Sequence, residues 1–264
     1  MKPLLHFAVL SSMGFGWIVP GFALDPAKAP PHLSLARDLL AAIVPERNLY
    51  DASPTAIVWP DEATPNRPAS NRSVCSSFGA AALRKAYGIS KTETVGLFGE
   101  IVPEADDFFA AIRAGNRFSV IHSLPEASPG DFLVIDYRSD KAIPTGHVML
   151  IDGSPRRVAD HRVSALPWRR PKSVQSPASW PVDTVVEWHV AIIDSTKSPH
   201  GGKDSRKDAE SDGANDSGLG RGEIRLLTDD SGKLLGYTWS TLPRSIVWTA
   251  AERPLIIGRF RSGA

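Results

Sequence analysis

The sequence predicts an α+β fold, with N-terminal helices packed on an antiparallel β-sheet. Apolar residues recur at steps of three or four only in the first part of the chain, as far as Ala114. From Pro129 onward the pattern becomes short apolar runs divided by turn residues. The 22 prolines and 21 glycines among 264 residues mark a loop-rich chain and not a helical bundle. Helices first and hairpin-linked strands afterwards is the element order of an α+β domain.

Each element follows from local pattern. Residues 1–23 begin with Lys2, continue through an apolar run and end on Gly21-Phe22-Ala23, which reads as a secretory signal cleaved after Ala23. Gly14, Gly16 and Pro20 weaken the alternative of a membrane anchor, so no stable membrane insertion is expected after cleavage. Residues 24–72 read as an N-terminal leader, helix and loop. Within them His32–Ile43 carries Leu35, Leu39, Leu40 and Ile43 on one helical face, and Ala56–Trp59 is a short strand in a Pro-rich stretch. The domain proper is expected over 73–264. Ser73–Tyr87 is the clearest helix, stopped by Gly88, with Ser70, Asn71 and Ser73 as candidate N-caps. A further helix covers Ala105–Ala114.

Strands follow at Asp131–Tyr137, His147–Ile151 and Val185–Ile193. A hairpin joins Glu223–Thr228 to Lys233–Thr238, and Pro254–Arg259 closes the set. Two segments interrupt them. Residues 154–181 form a polar insertion carrying six basic residues against Asp160, a local charge of +5. It reads as a solvated surface loop, with contact to substrate carboxylates as the sharper alternative. Residues 199–222 are rich in Gly, Ser, Asp and Lys, cannot supply a core, and are expected to form a mobile loop.

Composition also limits function. Thirty basic and 29 acidic residues give a net charge of +1, which offers no support for nucleic-acid binding. One cysteine excludes an intrachain disulfide and any zinc site built on several thiolates. That lone thiol, Cys75, is exported if the signal reading holds, and it sits in the first turn of the Ser73–Tyr87 helix, where free backbone N–H groups favour a thiolate. A lone cysteine on a helix face is ordinarily a small buried hydrophobe. The functional alternative needs a base and a group to orient it.

His147 is the best base, because it opens an apolar strand and therefore sits at the sheet rim. Asp194 ends the apolar run of a neighbouring strand and supplies the third position. His122 and His189 are the rival histidines, with His189 the alternative third polar residue. His200, in Ser-Pro-His-Gly, is placed to reach a site entrance.

These residues carry a resemblance. SVCSSFGAAALRKAYG is similar to the nucleophile helix of the NlpC-type papain-like cysteine hydrolases, bacterial cell-wall peptidases and amidases. PGDFLVIDY, GHVMLIDG and IIDST resemble the strands that follow it in that family. The likeness spans Ser73–Thr196 apart from the insertion. It departs in reading Val74-Cys75-Ser76-Ser77 where the family has Asp-Cys-Ser-Gly, and in a longer gap between His147 and the third residue. The resemblance implies a papain-like domain and a secreted or periplasmic cysteine hydrolase. Cys75 would be nucleophile, His147 base and Asp194 its orienting partner. Tyr50, Ser76, Ser77 and His200 would be oxyanion or substrate contacts. It implies no metal and no cofactor, and a peptide or peptidoglycan-fragment substrate. A transglutaminase-like acyltransferase and a non-catalytic cell-wall binding module stand as alternatives.

Overall fold

A computed structural model describes residues 29–51, 54–138, 144–171, 180–207 and 217–263. The expected signal segment 1–23 lies outside those residues. Among the described residues, no helix is long and apolar enough to cross a membrane.

The architecture is α+β. Helix α1 is Pro31–Ala42, α2 Cys75–Tyr87, α3 Lys91–Phe98 and α4 Ala105–Arg113. Strands β1 Asn48–Tyr50, β2 Ala56–Val58 and β3 Ser70–Ser73 form a small sheet in the order β1-β3-β2. The large sheet is antiparallel throughout. It comprises β4 Phe118–Ile121, β5 Phe132–Asp136, β6 Gly146–Ile151, β7 Arg156–Arg162, β8 Thr184–Thr196, β9 Gly218–Thr228, β10 Leu234–Thr238, β11 Val247–Thr249 and β12 Leu255–Phe260. Its order is β11-β10-β9-β8-β6-β5-β12-β4, with β7 beside β8.

The two faces of the large sheet bury different cores. Phe132, Val134, Val148, Leu150 and Ile193 face the helices, packing with Leu33, Phe78, Leu83 and Phe108. The alternate residues Leu133, Ile135, Met149, Ile151 and Ile192 face the other way, with Ile224, Leu226, Tyr237 and Ile257. Contact of β10 with β12, distant in strand order, shows that the sheet curls around this second core. Strand β8 is long enough to serve two neighbours on one edge. Its first half pairs with β7, and Ile192–Ile193 pair with Ile151–Leu150 of β6. His147 and Asp194 therefore lie just beyond the end of the β6–β8 ladder, on the inward face.

Several expectations need correction. The candidate caps Ser70, Asn71 and Ser73 are strand residues, because their backbone is spent on pairing with β1 and β2. Val74 holds the N-cap position instead, and its N–H donates to Ser77 Oγ at 3.1 Å. The boundary at 72/73 is not a structural division, since β3 runs across it straight into α2. The 154–181 insertion is not simply a solvated loop: Arg156–Arg162 forms β7, and Arg170 is half-buried against Glu252. Helix α3 was not predicted, although Ser90 and Glu93 form a capping box, Glu93 N–H donating to Ser90 Oγ at 3.1 Å.

His32 joins α1 to the sheet. Its Nε2 lies 2.7 Å from the Gly130 carbonyl, which can only accept, so Nε2 carries the proton. The bare Nδ1 then accepts the Tyr87 hydroxyl at 2.8 Å. The ring stacks on Phe132 at 5.4 Å. Burial lowers the imidazole pKa and outweighs the opposing pull of the Gly130 carbonyl and Asp131. Below the ordinary value of 6.5 the unfolded chain therefore takes up a proton that folded His32 refuses, and stability falls with acidification. The expected slope is up to about 1.4 kcal/mol per pH unit over that window. Urea unfolding between about pH 6.5 and 4.5 measures it, and His32→Gln should flatten it. An unchanged slope in the variant would remove His32 as its source.

Candidate functional site

Asp194 is the centre of a buried polar network. Its carboxylate accepts His147 Nε2 at 2.5 Å and His200 Nε2 at 2.9 Å, both on Oδ2. Its other oxygen, Oδ1, accepts both terminal nitrogens of Arg206, at 3.0 and 2.9 Å. Arg206 also donates to the Asp194 and Gly218 carbonyls and to Asp204 Oδ2. Asp204 in turn accepts the backbone N–H of His200 at 2.8 Å and of Arg206 at 2.9 Å. The side chains of Asp194, His200, Asp204 and Arg206 are all at most 1% exposed.

The pKa shifts follow from this arrangement. Burial alone would raise Asp194, but His200, Arg206 and the bond from His147 hold its carboxyl far below the usual range. Burial alone would lower His147. The Cys75 charge, the bonds to Asp194 and Cys75 and the Asp194 charge reverse this, and His147 is raised to about 10.

Cys75 is the first residue of α2 and is buried. It stands outside the close cluster of His147, Asp194 and His200, and its link to His147 is that Cys75 is among the groups that raise the His147 pKa. Since His147 Nε2 is committed to Asp194, the nitrogen left for the thiol is Nδ1. Tyr50 is brought beside this helix start by the β1–β3 pairing, in which Tyr50 aligns with Ser73. Burial raises the Tyr50 hydroxyl, as do the charges of Cys75 and Asp194, so it remains a neutral donor.

A cleft of about 620 Å³ opens beside His147 and Tyr50, with Cys75 and Asp194 behind its wall and not among its lining residues. His147, Val74, Tyr50, Trp239 and Arg253 line it. Trp239 closes one side, edge-on to His147 at 4.8 Å and stacked on His200 at 4.2 Å.

The structure brings His147 and Asp194 into direct contact, leaves Cys75 outside their close cluster and removes other candidates. Ser77 caps α2, Ser76 is buried, and neither lines the cleft. His200 is not at an entrance; it is wholly buried, with Nδ1 bonded to the Trp239 carbonyl at 2.7 Å. His189 lies on the other half of β8 and bonds Glu187 at 2.9 Å, away from Asp194. His122 is exposed. None of the described residues of the basic insertion lines the cleft.

The expected mobile loop 199–222 is also corrected. Residues 218–222 belong to β9, residues 208–216 lie outside the described set, and His200, Asp204 and Arg206 are fixed in the network. What seats them is the bare strand Gly218-Leu219-Gly220-Arg221-Gly222. A Cβ on Gly220 would come within 2.5 Å of Arg206 Nη1, and one on Gly222 within 2.6 Å of Asp204 Oδ2. Glycines alternating at the strand period were the signal that composition obscured.

His147, Asp194 and His200 offer three donor atoms within 4.8 Å of one another, a spacing a metal ion can use. The chemistry of the set does not fit one. Both imidazoles already bond the same carboxylate oxygen, and the Arg206 guanidinium holds the other. A second cation would have to share that carboxylate with a buried guanidinium.

Fold and site together define an α+β protein with a fully buried Asp–His pair at the sheet rim, beside a helix-opening cysteine. No family model and no solved structure matches the chain. It is 30% identical over 187 residues to a protein of Acanthamoeba polyphaga mimivirus, "Uncharacterized protein R653". The alignment covers 70% of this chain and 76% of that relative. The chain belongs to the same family as this mimivirus protein.

The network gives a direct stability prediction. Arg206→Met leaves two buried carboxylates without their shared cation and should cost about 3–5 kcal/mol. Gly220→Ala, which only crowds Arg206, should cost about 1–3 kcal/mol. Urea midpoints at neutral pH test both. Changes below about 0.5 kcal/mol would show that the network is not as tightly held as the contacts indicate.

Proposed function

We propose that the protein is a cysteine hydrolase with a papain-like arrangement of its site, cleaving an amide bond. The observation that carries this reading is His147, bonded through Nε2 to a fully buried, charge-compensated Asp194 and raised in pKa partly by Cys75 at the start of α2. In this reading the buried Asp194 favours the protonated imidazole of His147, which serves the sulfur of Cys75 as proton partner.

In the proposed reaction the Cys75 sulfur attacks an amide carbonyl and forms the S–C bond. The Cys75 backbone N–H, free at the first helical position, and the Tyr50 hydroxyl stabilise the oxyanion. His147 gives its proton to the leaving amine as the C–N bond breaks. It then takes a proton from the water that hydrolyses the thioester. Asp194 fixes the ring orientation and favours the imidazolium throughout. The reading needs no cofactor. With the export signal and the resemblance of the three motifs, it extends to a peptide or peptidoglycan stem-peptide substrate outside the cytoplasm.

The test is labelling of Cys75, the only thiol in the chain, by iodoacetamide across pH. An ordinary thiol has a pKa of about 8.5 and loses about tenfold in rate per unit below it. Folded protein should instead lose rate less steeply than an ordinary thiol as pH falls. His147→Ala should return Cys75 to ordinary thiol behaviour, and the wild-type profile should change on the alkaline side near pH 10, where His147 loses its proton. Labelling that needs denaturant, or that is indifferent to His147→Ala, would overturn the reading.

A further inference from the structure

The far wall of the cleft carries Arg253, a guanidinium that the network around Asp194 does not use. Its backbone is fixed at both ends. The N–H groups of Glu252 and Arg253 donate to the Thr249 carbonyl at 3.0 and 2.9 Å, and the Pro254 carbonyl accepts the Asp136 N–H at 2.9 Å. Glu252 ties this corner further, accepting the Thr249 N–H at 2.9 Å and the Thr249 hydroxyl at 2.8 Å, and pairing with Arg170.

The side chain is held just as firmly, but by aromatic faces. The guanidinium lies 3.5 Å from the Trp248 ring centre and 4.3 Å from that of Tyr137. Its one hydrogen bond within the described residues runs from Nη1 to the Tyr237 hydroxyl, at a long 3.3 Å. Among those residues no carboxylate stands within 4.0 Å of it. Among the described residues most of a rigid five-donor fork is therefore unspent, and Arg253, Trp248, Tyr137 and Tyr237 all line the cleft. The cleft holds a second cation, Lys197, placed over the Tyr50 ring at 5.9 Å, and one acid, Asp51.

We propose that Arg253 is the anchor of a carboxylate-binding subsite, so that the preferred ligand is an acyl-peptide bearing a free carboxylate. A planar guanidinium with free donors recognises a carboxylate bidentately, and the stacking on Trp248 and Tyr137 means little side-chain freedom is lost when it does so. Lys197 adds positive potential in the same space. This deepens the hydrolase reading by naming its substrate class, and it rests on that reading only for what happens after binding.

Calorimetric titration of the Cys75→Ala protein separates the two, because it reads binding without turnover. The probes are N-acetyl-dialanine with a free C-terminal carboxylate and the same dipeptide as its C-terminal amide. The acid should bind about tenfold or more tightly than the amide. Arg253→Gln should abolish that difference while leaving the amide affinity unchanged. Arg253→Lys, which keeps the charge and loses the fork, should retain only part of it. Equal affinity of acid and amide, binding of neither at millimolar concentration, or a preference that survives Arg253→Gln in a protein of unaltered urea midpoint would each overturn the subsite. Iodoacetamide labelling of unmutated protein reports separately on the thiol. An inert thiol beside an intact carboxylate preference would sink the hydrolase and leave the subsite standing.

Discussion

The burial of one negative charge organises this molecule. Asp194 lies at the end of the longest strand with no access to water, and an isolated carboxylate there would be too costly to keep ionised. It stays charged because four donors from three side chains surround it: His147, His200 and the two ends of the Arg206 fork. Arg206 is itself a buried charge, and Asp204 compensates it. The requirement passes outward from there. Arg206 can reach Asp194 only across a strand face without side chains, which the alternating glycines at the start of β9 provide. His147 then receives a fixed orientation on one nitrogen and can offer the other to the start of α2.

The sheet explains how groups from opposite sides come together. Cys75 belongs to the helix-facing core, whereas His147 and Asp194 lie in register with residues of the inward core. They approach from the two sides at the rim, where the β6–β8 ladder ends and β3 feeds α2. Ser195 Oγ donates to the Ser73 carbonyl at 2.8 Å and pins the end of β8 to the strand that delivers the cysteine. The geometry of the thiol and the imidazole is thus set by backbone on both sides, not by long flexible side chains.

Much of the scaffold was legible because its elements are long and strongly periodic. α2, α4, β5, β6, β8 and the β9–β10 hairpin all announce themselves by apolar spacing or turn residues. His147 and Asp194 could be paired from the same pattern, since each lies at the end of an apolar strand run. Of the small sheet only β2 was legible. β1 is Asn-Leu-Tyr and β3 Ser-Asn-Arg-Ser, too short and too polar for a strand pattern, and side-chain bonds help to hold them. Asn48 exchanges bonds of 2.7 Å with both backbone groups of Leu219, and Asn71 donates to Asn48 at 3.1 Å. The Arg206 network was hidden for the opposite reason. Its Gly, Ser and Asp residues have the composition of a solvated loop, and only partner geometry distinguishes buried charges from exposed ones.

The two halves of the site differ sharply in how far along the chain their members lie. Arg206 bonds Asp194 across 12 residues, and His200 does so across six. The link that carries the cysteine, Ser195 to Ser73, spans 122 residues. The entropic cost of closing a loop grows with the logarithm of its length, so the longer closure costs about 2 kcal/mol more than the shorter. The carboxylate, its histidine cap and its arginine thus form a local unit that can persist when contacts of long range loosen. The thiol is the separable member. Its position depends on the packing of α2 against the large sheet, whereas the ion network on β8 and β9 is closed by neighbours in sequence.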